Sequence, residues 1–283
     1  MGQVADLKDT KGVPAKKTDY FAIYLFGFFS LVTVVGVPLF AAVYGYSWLD
    51  WVLFGGFYII TGLGITVGYH RLISHRSFTC HNWVRIAFLV AGGWAMENSA
   101  LKWCSDHVRH HARVDQEEDP YNAKRGFWYS HLLWIFEKSP YADDKYTAIF
   151  RKDSLVMWQY RYYLPIVLSG FILPAVLGFL HRGWIGALSA LLLAGIGRTF
   201  LVLNSTFCIN SICHMWGDQP YGDINSSRDS WWISLVTFGE GYHNYHHMYP
   251  RDYRNGPKWY NFDPSKWLIV MLLVIGLARK PTP

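Results

Sequence analysis

Nine histidines stand in a pattern suited to binding metal. His107, His110 and His111 form a His-x-x-His-His box, and His243, His246 and His247 form a second. His70 and His75 make a looser pair, and His214 ends the segment Asn210-Ser-Ile-Cys-His214. On a regular helix, residues at i, i+3 and i+4 share a face. Each box therefore turns three imidazoles one way. Neutral imidazole is the commonest metal ligand near physiological pH. One triplet alone could be surface or capping histidines; two matched triplets and a pair point to a single cage closed from distant segments. Nine donors exceed what one ion takes, so two metals are the economical reading. Imidazole suits iron, zinc, copper and nickel alike, and the spacing leaves the metal open.

The spacing also poses a problem. His70 and His75 lie about 140° apart on a regular helix. They serve one ion only if the helix ends or breaks near Leu72 to Ser74; otherwise they serve two. Metal-bound imidazoles usually donate their other N–H to a carboxylate or carbonyl. Asp106, Asp115, Glu117, Glu118, Asp119 and Glu240 are the candidates, though solvation of a charged loop suits Glu117 and Glu118 equally well. His81, His131 and His181 fall outside the spacing and are read as structural.

The elements that must position these groups are long and apolar. Of 283 residues, 52% are hydrophobic, 18% aromatic and only 16% charged, and the apolar residues come in runs. That is the composition of a membrane protein with a water-facing part. The net charge of +6 comes with no basic stripe and no nucleic-acid motif, so nucleic acid is not an expected partner. Lys and Arg flanking the apolar runs fit the cytoplasmic side of a bilayer. Cys80, Cys104, Cys208 and Cys213 have no Cys-x-x-Cys spacing and read as reduced thiols. The first apolar run is too long and too late for a cleavable signal peptide.

The expected fold is an all-α integral membrane protein. It has four transmembrane helices in two hairpins, at about 20–46, 48–69, 163–180 and 184–210, each near the roughly 20 residues a bilayer requires. A polar tail, 1–19, precedes a single domain, 20–283. Residues 70–160 and 211–283 form a cytosolic helical cap carrying the histidine-rich dimetal site, with both termini on the cytoplasmic side. Loop signals stand at Asp119-Pro120 and Ser139-Pro140. Residues 83–101 and 267–277 are read as helices resting in the interface or docked. The glycines of the second span, Gly55, Gly56, Gly62, Gly64 and Gly68, serve either close helix packing or room for a long apolar ligand. Arg198, inside the fourth span, is read as facing the protein interior or a wet cavity.

The order His-x-x-x-x-His, His-x-x-His-His, His-x-x-His-His on such a chain resembles the membrane fatty acyl desaturases, and most closely the stearoyl-CoA (delta-9) branch. The likeness runs from about Phe57 to Tyr253. It includes Gly64-Ile-Thr-Val-Gly-Tyr-His-Arg-Leu-Ile-Ser-His-Arg76, Asp119-Pro-Tyr-Asn-Ala-Lys-Arg-Gly-Phe127 and Gly239-Glu-Gly-Tyr-His-Asn-Tyr-His-His247.

The resemblance implies two iron ions held by His70, His75, His107, His110, His111, His214, His243, His246 and His247, with Asn210 reaching a metal through water. It implies O2 as co-substrate and a bent tunnel for a long acyl chain, whose closed end is lined by Tyr58 and Gly62. Asn98, Trp103 and Asp106 match positions near the thioester and headgroup. Ser105 stands where the animal enzymes have Arg, and Phe207 where they have Trp; Arg198 joins the substrate-side candidates. The implied substrate is a saturated long-chain acyl thioester, acyl-CoA first. Electrons come from a separate carrier such as ferredoxin or cytochrome b5. The alternatives are an acyl-lipid desaturase and a membrane hydroxylase of alkanes or fatty acyl chains with the same kind of centre. A zinc hydrolase and a metal transporter are more distant readings.

Overall fold

In the computed structural model the described residues are 16–138 and 145–281. Most of the expected tail and the Ser139-Pro140 loop lie outside them. Eleven α-helical elements, π-wound stretches included, follow in order among the described residues, besides two short 3-10 turns at Ala123–Arg125 and Leu133–Phe136. The first four are α1 (Tyr20–Tyr44), α2 (Trp48–Ser74), α3 (Asn82–Trp94) and α4 (Ala100–Arg113). Three short ones come next: α5 (Phe127–His131), α6 (Lys145–Arg151) and α7 (Ser154–Arg161). Then come α8 (Tyr163–Met215), α9 (Ser234–Thr237), α10 (His243–Met248) and α11 (Pro264–Val274). Two short antiparallel strand pairs, Lys17–Thr18 with Glu137–Lys138 and Thr79–Cys80 with Ala278–Arg279, tie the chain ends to the interior loops.

The expectation of four membrane spans needs correction. Three described helices are long and apolar enough to cross a membrane: α1, α2 and α8. The segments expected as separate third and fourth spans form one helical run of 53 residues. Only Arg182 and Gly183 leave helical geometry within it, at a sharp kink. Gly183, at φ 60°, supplies the left-handed residue the bend requires. Across the bend, Gly178 and Gly186 lie backbone to backbone, with no room for a side chain on either.

Arg182 donates to the carbonyls of Tyr44 and Gly45 at 3.2 and 3.4 Å, so the bend sits beside the α1–α2 turn. That turn is sharp because Ser47 and Asp50 form a reciprocal capping box at the start of α2. Asp50 is buried there and accepts from Ser189 of α8 at 2.7 Å. Large apolar side chains face outward along these helices, among them Phe21, Leu39, Trp51, Leu180 and Trp184. Such a surface is satisfied by lipid tails rather than water.

The glycines of α2 divide. Gly64 and Gly68 press against α3, where a Cβ would meet the backbone of Ala91 and Gly92 or the side chain of Phe88. Gly55 and Gly56 face open space. The lower half of α2, Gly64–Ser74, winds as a π-helix. The last helix, α11, buries Ile269 and Leu272 and exposes Trp267, Val270 and Val274, as a docked amphipathic helix does.

Candidate metal centre

The π-helical stretch resolves the spacing of His70 and His75. A π-helix bonds to the residue five back, so each turn takes more residues than the 3.6 of an α-helix. The His75 amide donates to the His70 carbonyl at 3.1 Å, and the two rings come within 4.8 Å. The helix also ends at Ser74, inside the stretch where an end was expected, with His75 as its C-cap, so no second metal is needed to reconcile the pair. π-Turns are frequent at functional sites.

All nine histidines converge, in two groups. His70, His75, His107, His111 and His246 form one; His110, His214, His243 and His247 form the other. Each box is split rather than aimed at one point. The i, i+4 pair His107/His111 joins the first group while His110 crosses to the second. In α10 the pair His243/His247 joins the second group while His246 crosses to the first. Helices α4 and α10 thus interlock the two groups.

The donor set fits metal. Nε2 separations are 3.0 Å for His70–His246, 2.7 Å for His75–His107 and 2.9 Å for His111–His246. In the second group they are 3.1 Å for His214–His243, 3.0 Å for His243–His247 and 3.3 Å for His110–His247. Two nitrogens bound to one ion at about 2.1 Å and at right angles lie about 3 Å apart. Burial, followed by the mutual repulsion of neighbouring rings, holds His75, His107, His111, His243, His246 and His247 well below the ordinary histidine pKa. The rings are therefore neutral and present lone pairs.

Outer partners orient the rings. His70 Nδ1 lies 2.9 Å from Glu240 Oε2, and His110 Nδ1 lies 2.8 Å from Asp119 Oδ1. Burial alone would raise both carboxyls. The paired histidine, joined at Glu240 by Arg71, brings each below its ordinary value. Glu240 is braced in turn: Arg71 Nη2 donates to it at 2.9 Å and Asn255 Nδ2 at 2.6 Å. Arg71 also reaches Asp263, the N-cap of α11. Nothing in the spacing had pointed to Arg71, Asn255 or Asp263; the signal available was a charged residue directly beside a ligand histidine.

Of the other carboxylates, Asp106 pairs with Lys102 and Arg109. Glu118 meets Arg113 at the surface, and Glu117 is exposed. His131 stays apart from the groups, bonded to Ser211 at 3.0 Å. His181 packs on Trp48 beside the bend, and exposed His81 precedes α3.

Beside the groups lies a cavity of about 660 Å³. His70, His107, His110 and His243 line it together with Leu25, Phe26 and Leu203. Asn98, Trp103, Asp106, Phe207 and Asn210 line it too. Asn210 sits one helical turn before His214. Trp103 stacks on His107, with centroids 4.9 Å apart.

Arg198 is not in this wall. It is wholly buried and donates to the carbonyls of Ala194 and Trp94 at 3.1 and 2.6 Å, bracing the end of α3. Tyr58 and Gly62 border a small adjoining space that shares Ile65, Thr66, Thr206 and Ile209 with the main cavity. The Tyr58 hydroxyl bonds Ser205 at 2.8 Å and the Val236 carbonyl at 2.9 Å. A Cβ on Gly62 would overlap the ring of Phe238, which is held at φ 56°.

Glu97 is the unexpected group in the cavity wall. Non-glycine residues at positive φ, Met96 and Asn98, flank it. Trp103 Nε1 donates to one of its oxygens at 3.0 Å and Thr206 Oγ1 to the other at 2.7 Å. Burial pushes its carboxyl up to about 7, against the pull of those two donors.

The sequence model of one family, described as Fatty acid desaturase, matches residues 46–269. The chain is 39% identical over 262 residues to acyl-CoA desaturase 1 of Saccharomyces cerevisiae, covering 88% of this chain and 50% of that protein. It is 36% identical over 229 residues to an sn-2 palmitoyl-lipid 9-desaturase of Nostoc, covering 79% of this chain and 78% of that protein. To the stearoyl-CoA desaturase of Homo sapiens it is 34% identical over 279 residues, covering 96% and 76%. The chain spans about half the length of the yeast proteins it matches.

Proposed function

The chain belongs to the fatty acid desaturase family, and from that premise we propose that it inserts a cis delta-9 double bond into a saturated long-chain acyl-CoA. The balanced reaction takes the acyl chain, O2, two electrons and two protons, and yields the alkene and two waters. The observation that carries this reading is the sharing of one cavity wall by imidazoles of both groups and by apolar side chains. The bonds to be broken are unactivated C–H bonds, which acid–base side chains cannot attack. Two irons would activate O2, the oxidant, which no side chain can do.

His70, His75, His107, His111 and His246 would hold one iron, and His110, His214, His243 and His247 the other. Five converging imidazoles exceed the four of a tetrahedral zinc site, which favours iron. Asn210, which lines the same cavity as His110 and His243, would hold a water against a metal. The protein's further share is positioning. Trp103, locked between His107 and Glu97, would seat the chain against the histidines. Tyr58, Gly62 and Phe238 would close the far end.

The carrier reading rests on the cavity's exposed cations. Lys138 is exposed and lines it, as do exposed Arg151 and Lys102, the latter paired with Asp106, a basic edge suited to CoA phosphates. An acyl-lipid substrate is the second reading. It is favoured by Ser105, whose hydroxyl turns back to the Leu101 carbonyl and offers no cation, and by the lipid named for the Nostoc relative.

The histidine end is rich in Lys and Arg, whereas the α1–α2 turn and the α8 bend carry only Arg182, which supports a cytoplasmic active site with both termini on that side. Exposed Lys124, Arg125, Arg251, Arg254 and Lys258 on that side suit an acidic electron carrier of the ferredoxin or cytochrome b5 kind.

The test is expression in cells unable to make unsaturated fatty acids. A delta-9 cis alkene recovered from their lipids supports the proposal; a hydroxylated chain, or no new product, defeats it.

A further inference from the structure

Two ligand histidines rest directly on a carboxylate: His70 on Glu240 and His110 on Asp119. His214 does not. Its Nδ1 lies 2.8 Å from Ser226 Oγ. Ser226 in turn donates twice to Asp115: its hydroxyl to Oδ1 at 2.5 Å and its amide to Oδ2 at 2.8 Å.

The directions of these bonds follow from chemistry. An ionised carboxylate only accepts. The Ser226 hydroxyl must therefore spend its proton on Asp115, which leaves its lone pairs for His214. The His214 ring then carries its proton on Nδ1 and turns the Nε2 lone pair toward His243, 3.1 Å away. A serine alone would leave the tautomer open; the acid behind it closes the choice.

Asp115 is itself held in place. It sits at φ 65°, in the left-handed region that Asp and Asn tolerate better than most residues. Its amide donates to Asp119 Oδ2 at 3.1 Å, while the other oxygen of Asp119 orients His110. The short loop 115–119 thus grips two rings of the same four-histidine group. One comes from α4 and the other from the end of α8. The sequence holds these partners 111 residues apart.

We infer that Asp115, acting through the Ser226 hydroxyl, is a positioning residue for His214 and hence for the metal held by His110, His214, His243 and His247. The inference rests on reading both histidine groups as metal sites. It assigns the relay to one of the two metals only. Losing such an outer partner typically lowers metal affinity about 10- to 100-fold.

The experiment measures iron per chain in protein purified from iron-replete cells and challenged with a chelator. Ser226→Ala should fall from about two irons toward about one, with loss of any spectroscopic signature of a coupled pair. Ser226→Thr, which keeps the hydroxyl, should hold as much as the unaltered protein. Asp115→Asn, which suits the same backbone conformation, should fall part of the way.

Melting of the metal-free forms checks folding. If Ser226→Ala fails to fold, Asp115→Asn carries the test. Iron retention by these variants equal to that of the unaltered protein overturns the relay and leaves the two-metal reading standing. Absence of iron from the unaltered protein overturns both.

Discussion

The amide of His75 bonds to the carbonyl of His70, five residues earlier, at 3.1 Å. That bond belongs to a π-helical stretch, and it places two histidines on one face that an α-helix would have turned about 140° apart. The first histidine group depends on it, because both rings belong there. Without the wider winding, His75 would be directed away from His107, from which its Nε2 is 2.7 Å.

The split of each box between two groups makes the groups mutually dependent. His247→Ala is expected to abolish turnover and to lower metal content, with affinity at the second group falling at least about 10-fold. His75→Ala should do the same at the first group. Metal analysis and a desaturation assay check both; full activity in His247→Ala would remove that ring from the cage.

Six of the clustered histidine rings are held neutral by burial and by one another. Their folded pKa values lie below the unfolded value near 6.5. The unfolded chain therefore binds more protons as pH falls. The cost of keeping the rings neutral is absent above about pH 6.5 and grows below it. Metal-free protein is expected to lose melting temperature steadily from pH 7 to pH 5, and metal should raise the melting temperature at each pH without flattening that slope. A melting temperature flat across that range counts against neutral, buried rings.

Glu97 titrates in the opposite sense. Its folded pKa, about 7, lies above the unfolded carboxyl value. Its destabilising effect is therefore absent at low pH and complete above about 7. Glu97→Gln can accept from Trp103 through its oxygen and donate to Thr206 through its nitrogen. The variant should melt above the unaltered protein at pH 8, with the gap closing toward pH 5. A gap independent of pH would mean that Glu97 is not the titrating group.

Phe238 and Tyr58 face each other with ring centroids 5.6 Å apart at the small space that adjoins the main cavity. Phe238→Ala and Tyr58→Ala are each expected to admit longer acyl chains, seen as a shift in product chain length. Lengthening by Tyr58→Ala alone would show that Phe238 only packs against Gly62. Lengthening by neither would move the closed end elsewhere.

Some of this was legible in residue order. The two boxes, the pair and His214 declare their ligand types because imidazole spacing is a local property of the chain. The capping box at Ser47 and the docked helix α11 are local in the same way. The place of the bend in α8 was legible, since His181-Arg-Gly183 reads as a tight turn and Arg182 and Gly183 leave helical geometry; that the helical run continues through it as one element of 53 residues was not. Arg198 reads as facing the protein interior or a wet cavity, and as a substrate-side candidate, because a charge inside a span is rare; it is buried in the interior. There it satisfies carbonyls at the end of α3, a partner brought near only by packing.

The sequence by itself determined which side chains could bind metal and which segments prefer lipid, since both follow from residue type and short-range periodicity. Only the tertiary structure decided which histidine joins which group, that π-winding reconciles His70 with His75, and that Asp115 reaches His214 through a serine 111 residues away. Those outcomes depend on helix winding and on contacts between distant segments. The residues involved carry no mark of their partners until the helices are packed.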